Sequence, residues 1–174
     1  MSQFRRDVAR MLLEAEDPDL DPQARGRKFE ELLIYMFDSV NDSLVAGNVS
    51  SDFAAEQIDI AVSNRGGFPG LPSQFLVECK NYSSPLDSKS VGYFLFICLS
   101  RRAELAVIVA KSGLTGNAAE QNHALSLAKA ASPMGCRIVV ITREDIVSLR
   151  SPSDLVDLME TRYLIAFASG GVGQ

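Results

Sequence analysis

An α/β sandwich is the fold class this sequence predicts. Runs in which apolar residues alternate singly are interleaved with runs in which they recur at three- and four-residue steps, and strands that alternate with helices pack as a helix-covered sheet. With 174 residues and 47% apolar content, the chain can bury one sizeable core and is too short for two. A single domain over 1–168 is expected. Residues 169–174 are mostly glycine and small side chains and read as a flexible tail or linker.

Gln3 to Glu16 places Phe4, Val8, Met11 and Leu12 on one helical face before Asp17-Pro18 breaks it. A second helix is expected from Pro22 through Val40, striped by Phe29, Leu32, Leu33, Met36, Phe37 and Val40, with Glu30 beside the stripe. Leu44 to Val49 reads as a strand. In Gln57 to Val62, Ile58, Ile60 and Val62 alternate with Gln57, Asp59 and Ala61, so Asp59 is expected to face away from the isoleucines. The glycines and prolines of Asn64 to Ser73 make a loop, and Gln74 to Lys80 follows as a strand. Its Phe75, Val77 and Cys79 take one face, and Leu76, Glu78 and Lys80 the other. Then come a helix (Asp87 to Arg102), a strand (Leu105 to Ala110), a helix (Gly116 to Ala131), a strand (Arg137 to Ile141), and one or two helices between Arg143 and Phe167.

Composition narrows the function classes. The longest apolar stretch, Val91 to Leu99, is far short of the ~18 residues of a spanning helix, and the N-terminus lacks the pattern of a signal peptide. A soluble, cytoplasmic protein with no membrane contact is expected. Cys79, Cys98 and Cys136 are odd in number and set in apolar runs, the pattern of reduced thiols rather than of a disulfide frame or zinc site. His123 is the one histidine, which excludes chemistry that needs a His pair, and it reads as a helix-surface residue. A net charge of −5 opposes generic adhesion to nucleic acid. Basic clusters at Arg25, Arg27 and Lys28 and at Arg101 and Arg102 leave local binding open.

Asp59 and the triplet Glu78-Cys79-Lys80 fall on strands that one glycine-rich loop joins, so pairing brings the three polar side chains to one patch. Such a patch suits Mg²⁺, a hard cation commonly held by one or two carboxylates with water and substrate phosphate. Asp59 and Glu78 would be the carboxylate ligands and the main-chain carbonyl of Cys79 a third; Lys80 would orient the attacking water or stabilise the transition state. An E-x-K triplet alone is more often a solvated strand edge. Asp59 on the neighbouring strand is what favours the chemical reading.

The runs Gly26-Arg27-Lys28-Phe29-Glu30-Glu31-Leu32, Glu56-Gln57-Ile58-Asp59-Ile60 and Leu76-Val77-Glu78-Cys79-Lys80-Asn81-Tyr82 resemble, in order and spacing, the successive motifs of PD-(D/E)XK nucleases close to the Mrr-like restriction endonucleases. The resemblance covers roughly Gly26 to Leu149 and includes Val107 to Gly116 and Ile141 to Asp145. It departs at Ile58, which stands where a proline usually precedes the aspartate. It implies a restriction-endonuclease-like αβα sandwich around a mixed sheet of about four to five strands. It also implies catalytic roles for Glu30, Asp59, Glu78 and Lys80, with Mg²⁺ as cofactor and Mn²⁺ as substitute. Gln57, sharing a face with Asp59, lines the site or is an exposed strand amide. Lys111 and Thr115 sit where phosphate could meet free N–H groups, although simple capping by Thr115 accounts for them.

The expectation is a metal-dependent endonuclease acting on DNA, in restriction or defence, leaving 5′-phosphate ends. The alternatives are a junction-resolving or repair nuclease of the same fold, or a catalytically inactive or partner-regulated binding module. The helix Val91 to Leu99, apolar nearly all round, could also pair two copies in a homodimer.

Overall fold

The structure, a computed structural model, describes residues 2–50, 57–80, 88–110, 126–127 and 129–173. Helix α1 (Gln3–Ala15) starts where the Ser2 hydroxyl accepts from the Arg5 N–H. Helix α2 (Pro22–Asp38) starts at Asp21, whose carboxylate accepts from the Ala24 N–H at 2.9 Å, with Pro22 setting the first turn. Strands β1 (Ser43–Ser50), β2 (Gln57–Asn64) and β3 (Gln74–Lys80) follow, then α3 (Ser88–Ser100), β4 (Leu105–Ala110), β5 (Arg137–Thr142), α4 (Arg143–Ser148), α5 (Pro152–Ser169) and β6 (Val172–Gly173). Of the helix expected over Gly116 to Ala131, residues 126, 127 and 129–131 are described and are helical. Lys111, Thr115, His123, Asn81, Tyr82 and Asp87 lie outside the described residues.

The six strands form one mixed sheet in the order β1-β2-β3-β4-β5-β6. The first three run antiparallel; β4, β5 and β6 are parallel to β3. Every residue of β4 is buried, as is Ile138 to Ile141 in β5, because helices cover both faces of the parallel half. One core joins α1, α2 and α5 to the face bearing Ile60, Val77, Val107 and Val139. The other joins α3 to the face bearing Leu76, Ile108 and Val140. The expected αβα sandwich is the observed fold.

The sixth strand is the difference. Within the stretch read as a tail, Ser169 completes α5, and Val172 and Gly173 pair with Ile138 and Val139. The glycine that suggested mobility serves close packing, since a Cβ at Gly173 would collide with the Arg162 carbonyl. The stretch from Arg143 holds two helices, separated by a turn that Ser151 and Pro152 convert into the start of α5. Arg162 on α5 forms a bidentate pair with Asp145 at 2.5 and 2.7 Å, and so ties the two helices together. Among the described residues no helix is long and apolar enough to cross a membrane.

Two local features position the site. At Gly47, β1 passes so close over α2 that a Cβ would overlap the Ile34 side chain. The pairing of β2 with β3 runs from Ser63↔Gln74 to Ile60↔Val77, whereas β3 continues alongside β4 to Lys80. The ends of β2 and β3 therefore part at Asp59. Ile58 packs into the α3-side core and Ile60 into the α2-side core, so the strict alternation expected for β2 breaks at Asp59.

Candidate active site

Where β2 and β3 part, a cavity of about 890 Å³ opens. Glu30 reaches it from α2, Asn48 from β1, Gln57 and Asp59 from β2, and Glu78, Cys79 and Lys80 from β3. The remaining wall is the start of α2, including Gln23, Arg25 and Arg27, together with Ala15 and Glu16 at the end of α1. Glu30, Asp59, Glu78, Lys80 and Gln57, which lie on three elements, thus come together in one concave surface.

The parting of the strands has a specific replacement for the lost ladder. Asp59 Oδ2 accepts a hydrogen bond from the Cys79 main-chain N–H at 2.7 Å. In extended backbone the N–H and C=O of one residue point to the same edge, so the Cys79 carbonyl faces the same opening. The Cys79 side chain packs against the α2-side core. Burial, with Asp59 next, raises its thiol well above the usual range, which leaves it an inert neutral group.

Lys80 Nζ lies 2.6 Å from Glu78 Oε1, with side chains 18% and 15% exposed. Both partners are drawn partly out of water, where an ion pair is screened less than at the surface. Burial raises the pKa of Glu78, and the nearby Asp59 charge adds to it, against the pull of Lys80. Asp59 is raised by burial too, with the Cys79 N–H and Lys80 opposing. Glu30 is raised by burial and then by Asp59, and is pulled back by a hydrogen bond from Asn48. Burial thus raises all three carboxylates, and the charge of Asp59 adds to the cost of ionising Glu30 and Glu78, a state that an added cation relieves.

These donors fit a hard divalent cation by type. They are carboxylate oxygens, with a main-chain carbonyl aimed into the same gap, and Mg²⁺ needs one or two carboxylates when water and phosphate supply the rest. They do not form a closed cage: among the described residues no group of three His, Cys, Asp or Glu is gathered closely enough to hold an ion alone. Cys98 and Cys136 are buried free thiols away from this cleft.

Sequence reasoning missed Asn48. It sits in β1 with φ 52, in the left-handed region that non-glycine residues seldom adopt. Its Oδ1 accepts from Gln57 Nε2 at 3.3 Å. The signal available in the sequence was the dipeptide Gly47-Asn48 inside an apolar β run, a pair that marks local departure from a regular strand. It also missed Glu16, which forms a bidentate pair with Arg143 at 2.6 and 2.8 Å and fastens the end of α1 beside the cavity to the start of α4.

Compared with known protein families, residues 22–149 match a model described as restriction endonuclease, the Mrr catalytic domain. Comparisons with curated proteins and with solved structures returned no match.

Proposed function

The chain belongs to the restriction endonuclease family of the Mrr catalytic type, and from that premise we propose that it is a divalent-metal-dependent endonuclease that hydrolyses DNA phosphodiester bonds, using Glu30, Asp59, Glu78 and Lys80. The observation that carries the reading is the meeting of those four side chains in the one cavity where β2 and β3 part. A structural surface has no reason to bring three carboxylates together at the cost of mutual repulsion.

In this reading Asp59, Glu78 and the Cys79 carbonyl hold Mg²⁺, or Mn²⁺ in its place. The bound cation supplies a lowered pKa for water and positive charge against the phosphate. Lys80 orients the attacking water and meets the negative charge that grows on the phosphoryl oxygens. Its contact with Glu78 keeps the ammonium at one place in the cleft. Glu30, from α2, accepts hydrogen bonds from water on the approach to phosphorus. Water attacks in line and the 3′-oxygen leaves, which gives a 5′-phosphate and a 3′-hydroxyl.

A role in restriction or defence, inside the cytoplasm, is part of the same proposal, and the family match supports it. Pairing of two copies through α3 belongs to the same proposal: Val91, Phe94, Leu95 and Cys98 face inward, whereas Tyr93 and Phe96 are exposed. Two sites in a dimer would cut both strands, and sedimentation measures that pairing directly.

Supercoiled plasmid incubated with wild type, Lys80→Ala or Asp59→Ala, each with Mg²⁺, Mn²⁺ or EDTA, tests the reaction. Nicking or linearisation by wild type alone, and only with metal, supports it. Inactivity of wild type on plasmid, branched DNA and RNA, with no metal binding by calorimetry, points instead to a binding module that keeps the fold without the chemistry.

A further inference from the structure

We infer that the first turns of α2 hold the DNA strand beside the cut: Arg27 takes a phosphate flanking the scissile one, and Gly26 leaves the space in which the strand lies against the helix. The inference rests on the nuclease reading above and adds to it the residues that place the substrate.

Gln23, Gly26, Arg27 and Glu30 of α2 all line the cavity. They are spaced three and four apart, so they share one stripe of the helix. Gly26 stands one turn, about 6 Å along the axis, from the acid at Glu30. A strand cut at the acids and running along this stripe lays a flanking phosphate against Gly26 and Arg27.

Glycine in a helix interior costs stability relative to alanine. Close packing accounts for such a residue where a neighbour would strike its Cβ, as the Arg162 backbone would at Gly173. Gly26 has no such neighbour: a Cβ built there meets nothing within 4 Å among the described residues. The space over it belongs to the cavity, and a bare glycine surface admits the close approach of a ligand's backbone.

Charge selects the same place. Among the described residues the lining carries Arg25, Arg27 and Lys80 against Glu16, Glu30, Asp59 and Glu78. Lys80 is engaged by Glu78, and Glu16 by Arg143. Arg27 is exposed and takes part in no ion pair among the described residues. Its neighbour Lys28 pairs with Glu31 at 2.9 Å and is not part of the lining. In a chain of net charge −5, attraction to a polyanion has to come from local groups of this kind. A guanidinium suits the task, since its forked donors meet two phosphate oxygens at once.

A structural role and a substrate role make opposite demands on position 26. If Gly26 belongs only to the helix, Gly26→Ala raises Tm and leaves DNA binding alone. If the strand lies against it, Gly26→Ala raises Tm and weakens binding at least about threefold, because the methyl group holds the strand off the helix. Arg27→Gln weakens binding about five- to tenfold near 0.1 M salt and lowers the slope of log affinity against log salt by about 0.9, the loss of one phosphate contact. Lys28→Gln, the same charge change one residue away, leaves affinity and slope near wild type.

The experiment is fluorescence anisotropy of duplex DNA with the full chain in Ca²⁺ over a series of salt concentrations, for wild type, Arg27→Gln, Lys28→Gln and Gly26→Ala, with Tm measured in parallel. Plasmid cleavage with Mg²⁺ and Mn²⁺ is followed on the same proteins, and in Arg27→Gln KM rises more than kcat falls. Wild-type affinity and slope in Arg27→Gln, an equal loss in Lys28→Gln, unchanged binding by Gly26→Ala, or no binding by wild type overturns the inference. If wild type binds DNA but cuts it with neither metal, the nuclease reading fails, and the salt slope still decides whether Arg27 holds a phosphate.

Discussion

The carboxylate of Asp59 accepts a 2.7 Å hydrogen bond from the main-chain nitrogen of Cys79, the residue between Glu78 and Lys80. It stands where the β2–β3 ladder has just ended at Ile60↔Val77. One side chain thus closes the gap in main-chain bonding and contributes a negative charge to the cleft. Asp59→Asn should separate these two contributions. Its amide oxygen can still accept from Cys79, so stability in urea stays within about 1 kcal/mol of wild type, while metal-dependent cleavage falls at least ~100-fold. Asp59→Ala removes both and costs about 1–3 kcal/mol besides.

Lys80 and Glu78, 2.6 Å apart, give a second expectation. Lys80→Met keeps the length of the side chain and loses its charge, so single-turnover cleavage should drop about 10²- to 10³-fold. DNA retention in Ca²⁺, followed by fluorescence anisotropy, should change little. Equal losses of binding and cleavage would assign Lys80 to substrate affinity instead.

The carboxylates give a pH dependence with a definite sign. Glu30, Asp59 and Glu78 all have folded-state pKa values raised above their ordinary ones, by burial first. Their contribution to stability is therefore fully present below the ordinary carboxylate range and is lost as pH rises through the raised values. In EDTA, thermal melts should show this part of the stability declining over that interval. At neutral pH, Glu78→Gln or added Mg²⁺ should raise Tm, by about 2–4 °C for each kcal/mol relieved in a chain of this size. A Tm unchanged by Mg²⁺ and by Glu78→Gln would mean that the acids do not strain the fold.

Asp145 carries the opposite sign. Burial pushes its pKa up, but the hydrogen bonds from Arg162 and from Thr142 outweigh burial and hold it below the ordinary value. Its stabilisation is present above the ordinary carboxylate range and is lost as pH falls through the lowered value. Arg162→Met leaves a mostly buried carboxylate without its partner; the side chains are 13% and 16% exposed. The variant should lose about 3 kcal/mol in urea near neutral pH and show a smaller additional loss on acidification than wild type.

Much of the fold was legible in the residues because period and punctuation are local properties. Strand β3 falls where Phe75, Val77 and Cys79 alternate, and α2 starts at Asp21-Pro22 because a carboxylate cap followed by proline suits only the first turn of a helix. Glu30, Asp59, Glu78 and Lys80 could be singled out for a similar reason: their order and spacing match a known set of motifs, and residue types alone say which groups can bind a hard cation or stabilise negative charge.

What tertiary structure decided is long-range. Alternation across Asp59 predicts a continuous face, yet Ile58 and Ile60 enter different cores, because the end of a ladder is set by the strand opposite rather than by the strand itself. The glycine at 173 resembles a point of freedom in the sequence and is a point of close contact in the fold, since only the neighbouring Arg162 backbone reveals that a Cβ would not fit. Asn48 drew no notice for the same reason: its partner, Gln57, lies on another strand, and a contact made across elements has no period to betray it. Sequence by itself determined the element types and the chemistry available to this chain; packing decided where the sheet opens and which side chains meet there, because those depend on distances between segments far apart along the chain.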